Sequence, residues 1–94
     1  MSRLRDAGAE PLIREAVQGL RLTMGRQHPE TLSSINNLAA LLRSNGDVAT
    51  AESLYREMLQ VQRETLGDRH PDTLGTINNL ASLLQERGDL AAAE

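Results

Sequence analysis

The chain has 94 residues, a formal net charge of -3, 39% hydrophobic residues and 24% charged ones. That fits one small domain at most, near the size where a single core barely suffices. It has no cysteine, so disulfides, thiolate nucleophiles and cysteine-held metals are excluded. Tyr55 is the sole aromatic residue, so the apolar contribution comes from Leu, Ala, Ile, Val and Met and favours close helix packing over a sheet. No run approaches the roughly 18 consecutive apolar residues of a membrane span, and no signal-peptide apolar core follows Met1 to Arg5. The expectation is a soluble, cytoplasmic protein with no membrane partner.

The first element in chain order is a helix within 6–27, broken near its end by Gly25. Glu10 and Arg14 form an i,i+4 pair on it. Pro11 lies early in this stretch: either the helix starts late, near Glu10, or it absorbs a mild kink. The second element, Pro29 to Ser44, carries Leu32, Ile35, Leu38, Ala39 and Leu42 on one helical face, with Pro29 in the first turn, where its missing N–H goes unused. Asn45-Gly46-Asp47 supplies a turn, Asp47 being suited to cap the next helix. The third element, Val48 to Leu66, places Ala51, Leu54, Tyr55, Met58, Leu59 and Gln62 on one face, pairs Glu52 with Arg56, and ends at Gly67. The fourth runs from Pro71 to Arg87, and a further helix is expected to begin after Gly88-Asp89.

These elements repeat. A shift of 42 places lays His28-Pro29 on His70-Pro71, Ile35 to Ala39 on Ile77 to Ala81, and Gly46-Asp47 on Gly88-Asp89, with 16 of 25 residues identical from His28 to Glu52 against His70 to Glu94. The same offset matches Ala9-Glu10 to Ala51-Glu52, Arg14-Glu15 to Arg56-Glu57 and Gly25 to Gly67. Helical repeats of this length indicate a solenoid of stacked antiparallel pairs. The organisation is therefore all-α: 6–27 as the second helix of a preceding repeat, 28–69 as a complete repeat and 70–94 as a partial one. Such a frame reads as a piece of a longer array, with both ends exposing surfaces that meet a neighbour. Self-association is expected there, by end-to-end stacking or by exchange of 89–94.

The stretches His28 to Gly67 and His70 to Glu94 resemble the tetratricopeptide repeat family, in its longer-period kinesin light chain type. Leu38 and Ala39 look like the family's Leu-Gly/Ala pair, Gly46 like the turn glycine, Ala51 like the small residue at the helix crossing, and Tyr55 like the aromatic of the second helix. A proline at the Pro11 place is familiar in this variety, which favours a helix passing through it. The resemblance implies a superhelix of about two repeats whose first helices line a concave side. On that side it sets Ser33, Asn36, Asn37, Ala40, Arg43 and Ser44 in one copy and Gly75, Asn78, Asn79, Ser82, Gln85 and Glu86 in the next. It also implies that asparagines of this motif hold the backbone of a peptide.

A carboxamide both donates and accepts, so a ladder of amides can hold an extended chain whatever its side chains. The competing reading gives at least one asparagine of each pair a bridging role inside the array. Asn37 and Asn79 are the preferred ligand contacts. The function expected is a protein-interaction module in a scaffold or adaptor. Its alternatives are a structural spacer or self-assembly segment, or a regulatory repeat region of a larger signalling protein. His28 and His70, one repeat apart, are expected to serve helix starts and not a metal. The single glycines make no phosphate loop, and ten arginines interspersed among thirteen acidic residues make no stripe for nucleic acid. No cofactor and no enzymatic activity are expected.

Overall fold

A computed structural model describes the backbone of residues 2–93 and the side chains of residues 10–88. Four helices follow one another: α1 (Ser2–Thr23), α2 (Pro29–Ser44), α3 (Val48–Thr65) and α4 (Pro71–Ala93). Among the described residues there is no strand, and no helix is long and apolar enough to cross a membrane. Each helix packs on the next in sequence: α1 on α2, α2 on α3, α3 on α4. The radius of gyration is 13.9 Å, against about 12 Å for a compact globule of this length, and the slab is only 15 Å in its thinnest dimension. That is the shape of a stacked array.

The joints repeat because their chemistry does. The imidazole Nδ1 of His28 accepts from the backbone N–H of Glu30 at 3.1 Å, and Nδ1 of His70 accepts from the N–H of Asp72 at the same distance. Each histidine thus caps a helix whose first residue is proline. At the far end of the first hairpin, Gly46 takes φ +93°, a backbone that a side chain would strain, and Asp47 Oδ1 accepts from the Thr50 N–H. Gly25 and Gly67 reverse the chain at the same left-handed angle, one repeat apart.

The core joins Val17 of α1, Ile35, Leu38, Ala39 and Leu42 of α2, Val48, Ala51, Tyr55, Met58 and Leu59 of α3, and Leu80 and Leu83 of α4. One expectation on α2 shifts: Leu32 is only half-buried, and the residue fully enclosed in that turn is Thr31. Its copy Thr73 is equally enclosed. Position 31 is four residues before Ile35, so the buried stripe runs 31, 35, 38, 42 and turns Leu32 toward the rim.

Two expectations about the outer helices resolve differently. α1 passes through Pro11 unbroken. α4, by contrast, does not stop at Arg87: it continues through Gly88 and Asp89 to Ala93. The copied turn at Gly46 is held from both sides, because Val48, Ala51 and Tyr55 beyond it bury against the core. Beyond Asp89, leucine and alanine simply prolong the helix already formed. The side chains of 89–94, to which segment exchange was ascribed, lie outside the described residues.

Candidate functional site

Helices of the same type are tied across the repeat by side chains. Arg21 of α1 sends Nη2 to both carboxylate oxygens of Glu57 on α3, at 2.9 and 2.7 Å. Arg43 of α2 donates from Nε to Glu86 Oε2 at 2.8 Å and from Nη2 to Ser82 Oγ at 3.0 Å, both on α4. The second bridge spans one repeat and brings α2 and α4 onto a shared wall. It also accounts for the two charges of that wall: Arg43 and Glu86 neutralise each other and leave a largely uncharged surface of amides and hydroxyls.

The twelve positions assigned to this wall from the sequence are all at least partly accessible to solvent. Asn37, Asn78 and Asn79 are exposed, Asn36 is half-buried, and none of the four carboxamides makes a hydrogen bond within the described residues. Ala40 and Gln85 are likewise exposed, as are Ser33, Ser44 and Gly75. The structure joins Arg43, Ser82 and Glu86 into one cluster and draws Ser33 and Asn36 together at another point, in the lining of a cavity.

That cavity, of about 440 Å³, lies where α2, α3 and the start of α4 meet. Leu32 of α2, Met58 of α3 and Leu66, the residue that caps α3, line it with apolar groups; Gln27, Ser33, Asn36, Gln62, Thr65 and Asp72 supply its polar groups. Such a volume is in the range of about 300–1,000 Å³ that bound small groups occupy. Sequence reasoning missed the α3 side of it. The available signal was the spacing of Met58, Gln62 and Leu66 by four, one stripe of a helix, with an amide set between two apolar residues.

On the outer side, Glu52 of α3 accepts from Arg56 on its own helix at 2.8 Å and from Arg87 on α4. The hydrogen bond from Arg56, then that from Arg87, hold its carboxyl below the usual glutamate range. Glu10 and Arg14 repeat the within-helix pair at 3.0 Å on α1. Among the described residues no group of three or more His, Cys, Asp or Glu is gathered as a metal would need.

Compared with known protein families, residues 31–72 and 73–94 each match the tetratricopeptide repeat. A comparison with curated proteins finds no match. Two consecutive matched units cover most of the chain and meet between Asp72 and Thr73, a 42-residue step from Thr31 that agrees with the internal period. Repeats of this kind are non-catalytic scaffolds for contacts between proteins. With its paired helices, turn glycines and doubled motif, the chain belongs to the tetratricopeptide repeat family.

Proposed function

We propose that this segment holds an extended peptide or protein surface along the wall of α2 and α4, as part of a scaffold or adaptor of the long-period, kinesin-light-chain-like variety. The observation that carries the reading is the idle state of the asparagines. Asn36, Asn37, Asn78 and Asn79 carry eight amide N–H donors and four carbonyl oxygens, and no partner among the described residues uses them. An array spacer would use such amides to bridge its helices. Arg43 and Glu86 are already paired, so the wall offers hydrogen bonds more than charge. A cytoplasmic setting accords with this role.

The test is a display selection of extended peptides on the intact chain, followed by titration of one binder against the Asn37→Ala/Asn79→Ala variant. Loss of about tenfold or more in affinity at an unchanged melting temperature is the expected result. Undiminished binding, or collapse of the helical signal without any peptide, returns the asparagines to a structural role.

A second reading, association with another copy of the chain, is favoured by the exposed apolar residues of the outer helices. Leu12 and Leu22 of α1 are 67% and 86% exposed, and Leu74 and Leu84 of α4 are 50% and 40% exposed. Since α1 corresponds to α3 and α4 to α2, the α4 face of one copy fits the α1 face of another in the manner of the central hairpin. Sedimentation at rising concentration should reveal dimers and longer stacks that Leu12→Glu, at the place matched by the core-packed Leu54, or Leu84→Glu disperses; a monomer at every concentration removes this reading.

A further inference from the structure

Gln62 is an amide set in an apolar stripe of α3, between Met58 and Leu66. It is 5% exposed, and its Oε1 has no hydrogen-bond partner. Burial of that kind is normally compensated, so an unmet acceptor marks a place where a donor is wanted. The same side chain lines the cavity between α2, α3 and α4. The terminal torsion of a glutamine is broad and roughly two-fold, so the carboxamide can turn its oxygen toward a donor that enters. Of the residues around the cavity, Asp72 alone is ionisable, and it is acidic.

Resting on the reading of the α2–α4 wall as a peptide groove, we infer that this cavity is a subsite for a basic side chain of the bound peptide, arginine or lysine. The aliphatic stem lies on Leu32, Met58 and Leu66, and the N–H groups of the head meet Gln62 and the Asp72 carboxylate. A purely aliphatic side chain packs on the apolar lining and leaves Gln62 unmet. An acidic one sets its carboxylate against Asp72 and is rejected. Asn36 belongs both to the asparagine set and to the lining of the cavity, so a chain held by the asparagines passes beside it.

Two-dimensional NMR of the full chain tests this with three capped residues: the N-acetyl, N-methylamide derivatives of arginine, norleucine and glutamate. The arginine derivative should shift the resonances of Leu32, Gln62 and Leu66 saturably, about tenfold more tightly than norleucine, with glutamate causing no such shift. Gln62→Leu should erase that preference while norleucine still binds. Asp72→Asn should reduce it and remove its dependence on salt. Equal affinity for norleucine and arginine, no saturable shift at these residues, or preference intact in both variants overturns the subsite. Capped single residues are too short to use the asparagine ladder. Failure here therefore leaves the groove to the Asn37/Asn79 experiment, and failure there leaves this result standing.

Discussion

Helices α2 and α4 are near copies with different fates. Ala39 and Leu42 of α2 are 0% and 1% exposed, whereas their counterparts Ala81 and Leu84 on α4 face solvent. Leu38 and Leu80 are buried in both, and so are Ile35's neighbours in the stripe, Thr31 and Thr73. The difference is what lies alongside: α2 sits between α1 and α3, while α4 has α3 on one side only. The buried set common to both helices is therefore the face that meets the preceding helix. The set buried in α2 alone is the face that meets the following one. Closely similar sequence encodes a helix with two contact faces, and the neighbours decide how many are used.

The largest effect that tests this division is the contrast between two leucines. Leu42→Ala should destabilise the fold by about 2–5 kcal/mol, as expected for a cavity in a packed core. Leu84→Ala should cost less than about 1 kcal/mol. Urea denaturation followed by far-ultraviolet circular dichroism measures both, with Ile35→Val, at about 0.5–1.5 kcal/mol, as the gentler probe if Leu42→Ala leaves no folded baseline. Equal costs at positions 42 and 84 would break the two-face account.

Next come the glycines at equivalent places. Gly46 has φ +93°, while Gly88 is inside α4 with open space where a Cβ would go. Gly46→Ala forces a side chain into the left-handed region, at a cost of roughly 1–2 kcal/mol. Gly88→Ala should instead stabilise by up to about 1 kcal/mol, because alanine is the better helix former. Opposite signs at two positions with one motif would be direct proof that context selects turn or helix. A loss at both would mean that Gly88 makes a turn in solution.

These contrasts also mark what was legible in the sequence. Helix α2 from Pro29 to Ser44 could be read outright, because proline, the turn glycine and a clear apolar period bound it. Asp47 as a cap and Gly67 as a terminator were equally legible, each being a local matter of backbone and side chain. The continuation of α4 was not, since the Gly-Asp motif is the same in both copies and only the buried helix beyond Gly46 enforces the turn. The cavity was half legible: Ser33 and Asn36 followed from the repeat, but Gln62 and Leu66 come from another helix, and their meeting depends on how α2, α3 and α4 stack. Arg21 with Glu57 and Arg43 with Glu86 escaped notice for the same reason.

A smaller effect concerns the bridge between the two copies. Arg43 and Glu86 are partly exposed, so their ion pair should contribute only about 0.2–1 kcal/mol, screened further by salt. A double-mutant cycle with Arg43→Met and Glu86→Gln isolates that coupling. A value within this range, shrinking as salt is added, sharpens the view that α2 and α4 share a wall through side chains while α3 supplies the packing. No coupling at low salt would mean that the two helices are held only through α3.

The smallest effect lies at Glu52 and turns on one of the places where the copies differ: Asn45 caps the end of α2, but Arg87 at the matching place remains inside α4 and reaches across to α3. Glu52 then has two guanidinium donors, and its folded carboxyl titrates below the ordinary glutamate range, first because of Arg56 and second because of Arg87. A depressed carboxyl contributes stability that is present above the unfolded value and is lost as pH falls through the folded one. Glu52→Gln should accordingly flatten the acid limb of the stability profile and leave the neutral plateau almost unchanged after correction for the substitution itself. Titration of the Glu52 carboxyl by NMR should move upward more in Arg56→Met than in Arg87→Met. Were Gly88 to act as a turn, Arg87 would no longer lie on a continuous helix beside α3, and its removal would leave the Glu52 titration where it was.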